Sequence, residues 1–276
     1  MTHPMSRIDR PIYGVDFSGA KQAGKHIWVT GGVMEGEALR IDTCRRGDTL
    51  PDSGKQREQC LVALRTLIVG SGRAAFGCDF PFGLPASLVE QDSWDSFVLA
   101  FPDLHEGADA FKEACLEAAG GSELKRVTDR ESQTPFSPYN LWLYRQTYYG
   151  IREVLHPLVR DEGACVLPMQ ERLPDRPWLL EICPASTLKE EWLYHPYKGP
   201  EEQKQEGRER ILQKLVERGL LVAPDAAILA QLVDDAGGDA LDSVVAALAT
   251  ARALRSLDGL MPSGDGAWSV EGYVYV

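Results

Sequence analysis

A chain of 276 residues, 44% hydrophobic and 25% charged, can bury a large core and has ordinary globular composition. Its net charge of −12 argues against a broadly basic nucleic-acid-binding face, although a local basic groove stays open. No apolar run approaches a membrane span, the polar opening Met1–Arg7 does not read as a signal peptide, and six cysteines without metal-ligand or CxxC spacing suit a reduced, cytoplasmic interior.

Residues 12–18 (Ile-Tyr-Gly-Val-Asp-Phe-Ser) predict a strand ended by Gly19. Asp16 stands inside it, where an ionised carboxylate is costly unless it is paired or binds metal. Lys25–Met34 and Ala38–Cys44 read as two further strands joined by the turn Glu35-Gly36, making the three an antiparallel meander. Between Asp52 and Val69 the pattern becomes helical, with Cys60, Leu61, Leu64, Leu67 and Ile68 recurring on one side and Gly70-Ser71-Gly72 as the stop. Ala74–Phe80 is a fourth strand with Asp79 near its C-terminal end, broken by Pro81.

Residues 86–160 are predicted to form a largely helical insertion dense in aromatic side chains, among them Trp94, Phe97, Phe101, Phe111, Tyr139, Trp142, Tyr144, Tyr148 and Tyr149. These read first as the insertion's own core, and second as a stacking platform for bases or sugars beside the polar loop Lys125–Pro135. Ala164–Met169 and Trp178–Cys183 are short strand candidates, and Glu181 interrupts the second where a hydrophobe is expected. Helical patterns resume at Ser186–Leu193, Glu206–Arg218 and Ala226–Val233, and the charged run Lys198–Arg210 reads as a solvated face.

Gly237-Gly238 then stops the chain, and a helix rich in Ala, Val and Leu follows. Asp239 and Asp242, three residues apart, share one face of its first turn, where capping is the ordinary role of an aspartate. Val245, Ala246 and Ala249 continue that side with small side chains, which allows close approach to a sheet. Trp268–Val276 is predicted to be a terminal strand.

Five acids thus occupy comparable places: Asp16, Asp79, Glu181, Asp239 and Asp242. A nest of carboxylates suits a hard divalent cation such as Mg2+ or Mn2+. Two ions held this way would activate a water and stabilise the leaving oxygen of a phosphodiester. Lys21, Arg126, Arg130 and Arg145 are the cations expected to contact phosphate.

In order and spacing, the blocks Gly14–Ala20, Asp79–Pro85, Glu181–Ala185 and Asp239–Ser243 resemble those of the domain-of-unknown-function 429 family, regarded as nucleases of the RNase H-like fold. The Asp-x-x-Asp helix is also similar to the last helix of RuvC-type junction resolvases. The resemblance runs from residue 12 to about residue 250. It implies one α/β domain over residues 1–276, with an RNase H-like mixed sheet of three antiparallel and then parallel strands, flanked by helices. Residues 86–160 are an insertion within it that is expected to shape the substrate site. Asp16, Asp239 and Asp242 would be metal ligands, with Asp79 or Glu181 completing the set, in a divalent-metal-dependent nuclease acting on nucleic acid. Two other readings stay open: a nucleotide- or phosphometabolite-handling enzyme of the actin-like branch of that fold, and a non-catalytic binding module.

Overall fold

The β-branched and aromatic runs of the first 80 residues do pair as strands, and they found a mixed sheet. The computed structural model describes residues 9–255, 260–262 and 266–276, so the polar opening Met1–Arg7 lies outside the described residues. The strands are β1 (Ile12–Asp16), β2 (Trp28–Glu35), β3 (Ala38–Arg46), β4 (Ala75–Asp79), β5 (Cys165–Leu167), β6 (Trp178–Ile182) and β7 (Val274–Tyr275). They lie in the order β3-β2-β1-β4-β6-β5, with β7 also paired to β6. β1–β3 are antiparallel, and β4, β6, β5 and β7 join in parallel. This is an α/β fold with a mixed sheet flanked by helices.

Helices cover both faces of the sheet. On one side lie α1 (Arg57–Gly70) and the helices of the 86–160 region: α2 (Trp94–Leu104), α3 (Ala108–Ala118), α4 (Val127–Glu131), α5 (Tyr144–Gly150) and α6 (His156–Arg160). The apolar side chains of α1, α2, α3, α5 and α6 share a continuous core with Val15, Phe76 and Cys78 of the sheet and with Phe17 just beyond β1. On the other side lie α7 (Pro184–Glu190), α8 (Glu202–Glu217), α9 (Ala226–Asp234) and α10 (Asp239–Ala253), packed on Ile12, Ala75, Leu180 and Ile182. Successive residues of a strand point to opposite faces, so the two lists alternate along each strand.

α10 is buried on all sides and crosses the middle of the sheet. Two glycines that face each other across β1 and β4, Gly14 and Gly77, make that crossing close. A Cβ on Gly14 would stand 2.0 Å from the Ser243 carbonyl oxygen, and one on Gly77 would stand 2.0 Å from Thr250 Oγ1. Thr30 Oγ1 of β2 lies 2.6 Å from Ser243 Oγ. The closest face of the helix is therefore Ser243, Ala246, Ala247 and Thr250 rather than the side through Val245 and Ala249.

Two sequence expectations change here. The terminal strand over Trp268–Val276 is instead a short helix, α11 (Trp268–Glu271), followed by the two-residue β7. Gly272 turns the chain at φ +84°, and the Glu271 carboxylate is drawn away to accept from the Ala86 and Val127 N–H groups at 2.8 and 2.7 Å. The run Lys198–Arg210 is not simply a solvated face either. Arg208 is buried within it, donating to the Tyr197, Gly199 and Val233 carbonyls. Among the described residues no helix is long and apolar enough to cross a membrane.

Candidate functional site

The strand pleat decides which acids meet. Asp16 and Asp79 end their strands as direct cross-strand partners, and both lie two residues beyond the glycines under α10. Alternation therefore turns both carboxylates to the α10 side. Glu181 pairs in register with Cys78, one residue out of phase, and points to the opposite face.

On the α10 side, Asp239 and Asp242 occupy the first turn of the helix. Neither acts as its cap. Gly238, at φ +76°, is the N-cap residue, and the orphan Ala240 N–H is satisfied by Asp235 Oδ2 at 2.9 Å. Asp242 is buried and has both oxygens engaged: Tyr197 OH donates at 2.5 Å and Lys198 Nζ pairs at 2.5 Å. The Arg208 contacts to the carbonyls of Tyr197 and Gly199 hold that short segment in place.

Among the described residues the carboxylates of Asp16, Asp79 and Asp239 receive no hydrogen bond and no ion pair. Burial and mutual repulsion accordingly raise their proton affinities. Burial, then Asp239 and Asp242, push Asp16 well above the usual carboxylate range. Asp79 rises to about 8, through burial and then Asp242, against the opposing pull of Lys198. Asp239 rises to about 6, mainly by burial. For Lys198, burial works against the charge, but Asp242, Asp16 and Asp79 together raise its proton affinity above that of an ordinary lysine.

All four aspartates line one cleft of about 1190 Å³. Its wall adds Lys198, Lys204, His26, His195, Trp142 and Phe136. None of these was singled out as a site residue in the sequence except as part of the aromatic density or the charged run.

Glu181 also lines the cleft, but as part of a closed network. Arg126 Nη1 donates to Glu181 Oε2 at 2.8 Å, Nη2 contacts Glu181 Oε1, and Nε and Nη2 reach both oxygens of Asp129 at 3.0 and 2.8 Å. Nη1 also donates to the Glu271 carbonyl at 3.1 Å, and the Phe82 N–H adds a bond to Glu181 at 2.8 Å. Arg126 is buried with its donors spent, so it is a structural clamp and not a phosphate contact. The structure leaves Asp79 rather than Glu181 beside Asp16. The other expected phosphate contacts lie elsewhere: Lys21, Arg130 and Arg145 are exposed and outside the cleft lining, and Arg145 leans on Tyr144 and Asp109.

Most of the insertion's aromatic residues are core, as their first reading has it: Trp94, Phe97, Phe101, Phe111, Tyr139, Tyr144 and Tyr148 are buried. Tyr149 is half-buried, and Trp142 stands out at 77% exposed.

Among the described residues no three His, Cys, Asp or Glu side chains stand close enough to hold a metal ion as they are. The donor chemistry nonetheless fits a hard cation: four carboxylates line one cleft, three without a partner, and the fourth is neutralised by a lysine whose side chain is 54% exposed. Nothing among protein-family models, curated proteins or solved structures matches the chain.

Proposed function

We propose that the cleft is the active site of a divalent-metal-dependent phosphodiesterase, a nuclease on an RNase H-like scaffold. The observation that carries this reading is the pairing of Asp16 with Asp79 at the ends of neighbouring parallel strands, opposite Asp239 and Asp242 on α10. A set of converging unpartnered acids, Asp16 buried and Asp79 and Asp239 half-buried, is hard to account for by stability, since each costs free energy when ionised.

Asp16, Asp79, Asp239 and Asp242 would hold the ion, which supplies Lewis acidity toward a phosphoryl oxygen and a water of lowered pKa. The residues of this chain do the rest. Tyr197 keeps Asp242 oriented through one oxygen. Lys198 gives up the other and is then free to meet the non-bridging oxygens of a phosphate. The Arg126–Asp129–Glu181 clamp fixes the floor of the cleft without taking part in binding.

The Lys198–Asp242 pair favours one competing reading, a metal-free binding module. Calorimetric titration with Mn2+, together with hydrolysis of bis(p-nitrophenyl) phosphate and of single- and double-stranded oligonucleotides, separates the two. The proposal requires Mn2+ binding and Mn2+-dependent cleavage that Asp16→Asn removes while the circular dichroism spectrum is unchanged. Cleavage surviving in Asp16→Asn would refute it.

A further inference from the structure

The rim of the cleft carries large aromatic side chains that packing does not explain. Trp142 is 77% exposed, Tyr194 51% and Phe136 38%, and all three line the same cleft as the four aspartates. They come from separate stretches of chain: Phe136 and Trp142 from the loop before α5, Tyr194 from the segment between α7 and α8.

The loop that bears Phe136 and Trp142 is firmly built. Asn140 Nδ2 donates to both Glu123 oxygens at 2.8 Å, and its own Oδ1 accepts from the Trp142 N–H at 2.9 Å. Ser137 Oγ adds a bond to Glu123 at 3.3 Å. The backbone is thus pinned while the rings stand in solvent.

Cations share the cleft, and one stands beside Tyr194. Lys198 and Lys204 line the cleft, and Lys189 Nζ stands 5.7 Å from the centre of the Tyr194 ring. Exposed rings in a cleft that also carries lysines and a floor of acids match a ligand with planar faces joined by phosphates. Stacking needs bases whose faces are free, which a double helix does not offer. The cleft's volume of about 1190 Å³ is of the order of a small-ligand site.

We infer that the cleft receives an unpaired stretch of nucleic acid, with bases stacked on Trp142, Phe136 and Tyr194 and a phosphate carried over the aspartates. The inference rests on the phosphodiesterase reading for its second half only. The stacking rim stands on its own.

The test is fluorescence anisotropy with a labelled single strand of about 12 nucleotides and the duplex of the same length, in Ca2+, alongside Mn2+ calorimetry. The single strand should bind at least about tenfold more tightly than the duplex. Trp142→Ala and Tyr194→Ala should each weaken it by roughly fivefold or more, leaving Mn2+ affinity unchanged. Both side chains are exposed, so the variants keep the fold. Equal affinity for the two strands, or single-strand affinity indifferent to both substitutions, overturns the inference. Mn2+ binding without Trp142-dependent strand binding sinks the inference and leaves the metal reading standing. Trp142-dependent strand binding without Mn2+ binding does the reverse. A self-associated form that Trp142→Ala dissolves, with no strand affinity, would assign the rings to a protein interface and also overturns it.

Discussion

Asp16 and Asp79 are cross-strand partners at the C-terminal ends of two parallel, hydrogen-bonded strands, and the pleat turns both to the same helix. Like charges placed directly opposite cost stability, and here burial adds to the cost. The cost depends on pH in a definite direction. An unfolded Asp79 loses its proton near 3.8, whereas the folded one keeps it up to about 8. Between those values the folded state binds more protons, so Asp79 lowers stability progressively as pH rises from about 4 to about 8. Asp79→Asn should therefore stabilise the metal-free protein, and by clearly more at pH 9 than at pH 5. Thermal melts of both proteins at the two pH values check it.

The same raised proton affinities set how a cation must bind. The ligands have to be ionised, so uptake releases protons and strengthens with pH. With Asp239 near 6 and Asp79 near 8, Mn2+ should raise Tm more at pH 8 than at pH 6. Calorimetry in buffers of different ionisation enthalpy should register proton release at pH 6.5. An Mn2+ effect independent of pH across this range would mean that these carboxylates are not the ligands.

The acids of the α10 side were legible in the sequence because their signal is local: an aspartate ending an apolar run, or two aspartates a helical turn apart. The alternation that separates Glu181 from Asp16 and Asp79 was equally present, since Leu180 and Ile182 are the inward residues of its strand toward α10. What no local pattern carries is the partner. Arg126 meets Glu181 across 55 positions, and Lys198 meets Asp242 across a chain segment that composition alone paints as solvated. Those pairings exist only once the two faces of the sheet have been covered. The C-terminal segment shows the same limit, because the demand of Ala86 and Val127 for an acceptor overrides its strand-like composition.

Lys198 is the positive charge that the cluster carries within its own chain. Replacing it by Met leaves the buried Asp242 with Tyr197 alone. Breaking a fully buried ion pair costs roughly 3–5 kcal/mol, and the half-exposed lysine reduces this to about 1–2 kcal/mol. The metal-free Lys198→Met protein should thus melt lower than wild type by several degrees. Mn2+ should bind it more tightly, because no resident ammonium has to be displaced. Weaker Mn2+ binding in the variant would assign Lys198 to a role other than counter-ion.

Arg126→Ala makes a different prediction, one of folding. It strands Glu181 and Asp129 in the interior with no counter-charge, a change worth roughly 3–5 kcal/mol. Urea denaturation should show that loss. Whatever folded protein remains should keep its Mn2+ affinity, since the Arg126 donors go to Glu181, Asp129 and the Glu271 carbonyl and none reaches the four aspartates. A variant of normal stability that had lost only phosphate binding would contradict the clamp described above.

Gly14→Ala tests whether the position of α10 is what assembles the site. The added methyl would stand 2.0 Å from the Ser243 carbonyl and 2.3 Å from the Ala247 nitrogen, both backbone atoms that no side-chain rotation can move aside. The helix must lift from the sheet, at a cost of about 1–3 kcal/mol or more for overpacking. Lifting α10 carries Asp239 and Asp242 away from Asp16 and Asp79, which stay on the strands. The variant should therefore lose Mn2+ affinity in addition to stability. Gly36→Ala supplies the comparison, because at its β2–β3 turn a Cβ meets nothing within 4 Å and the strain of φ +59° is purely local. That change should lower stability and leave Mn2+ binding as it was. Equal Mn2+ affinities in the two variants would show that the depth of α10 on the sheet does not govern the site.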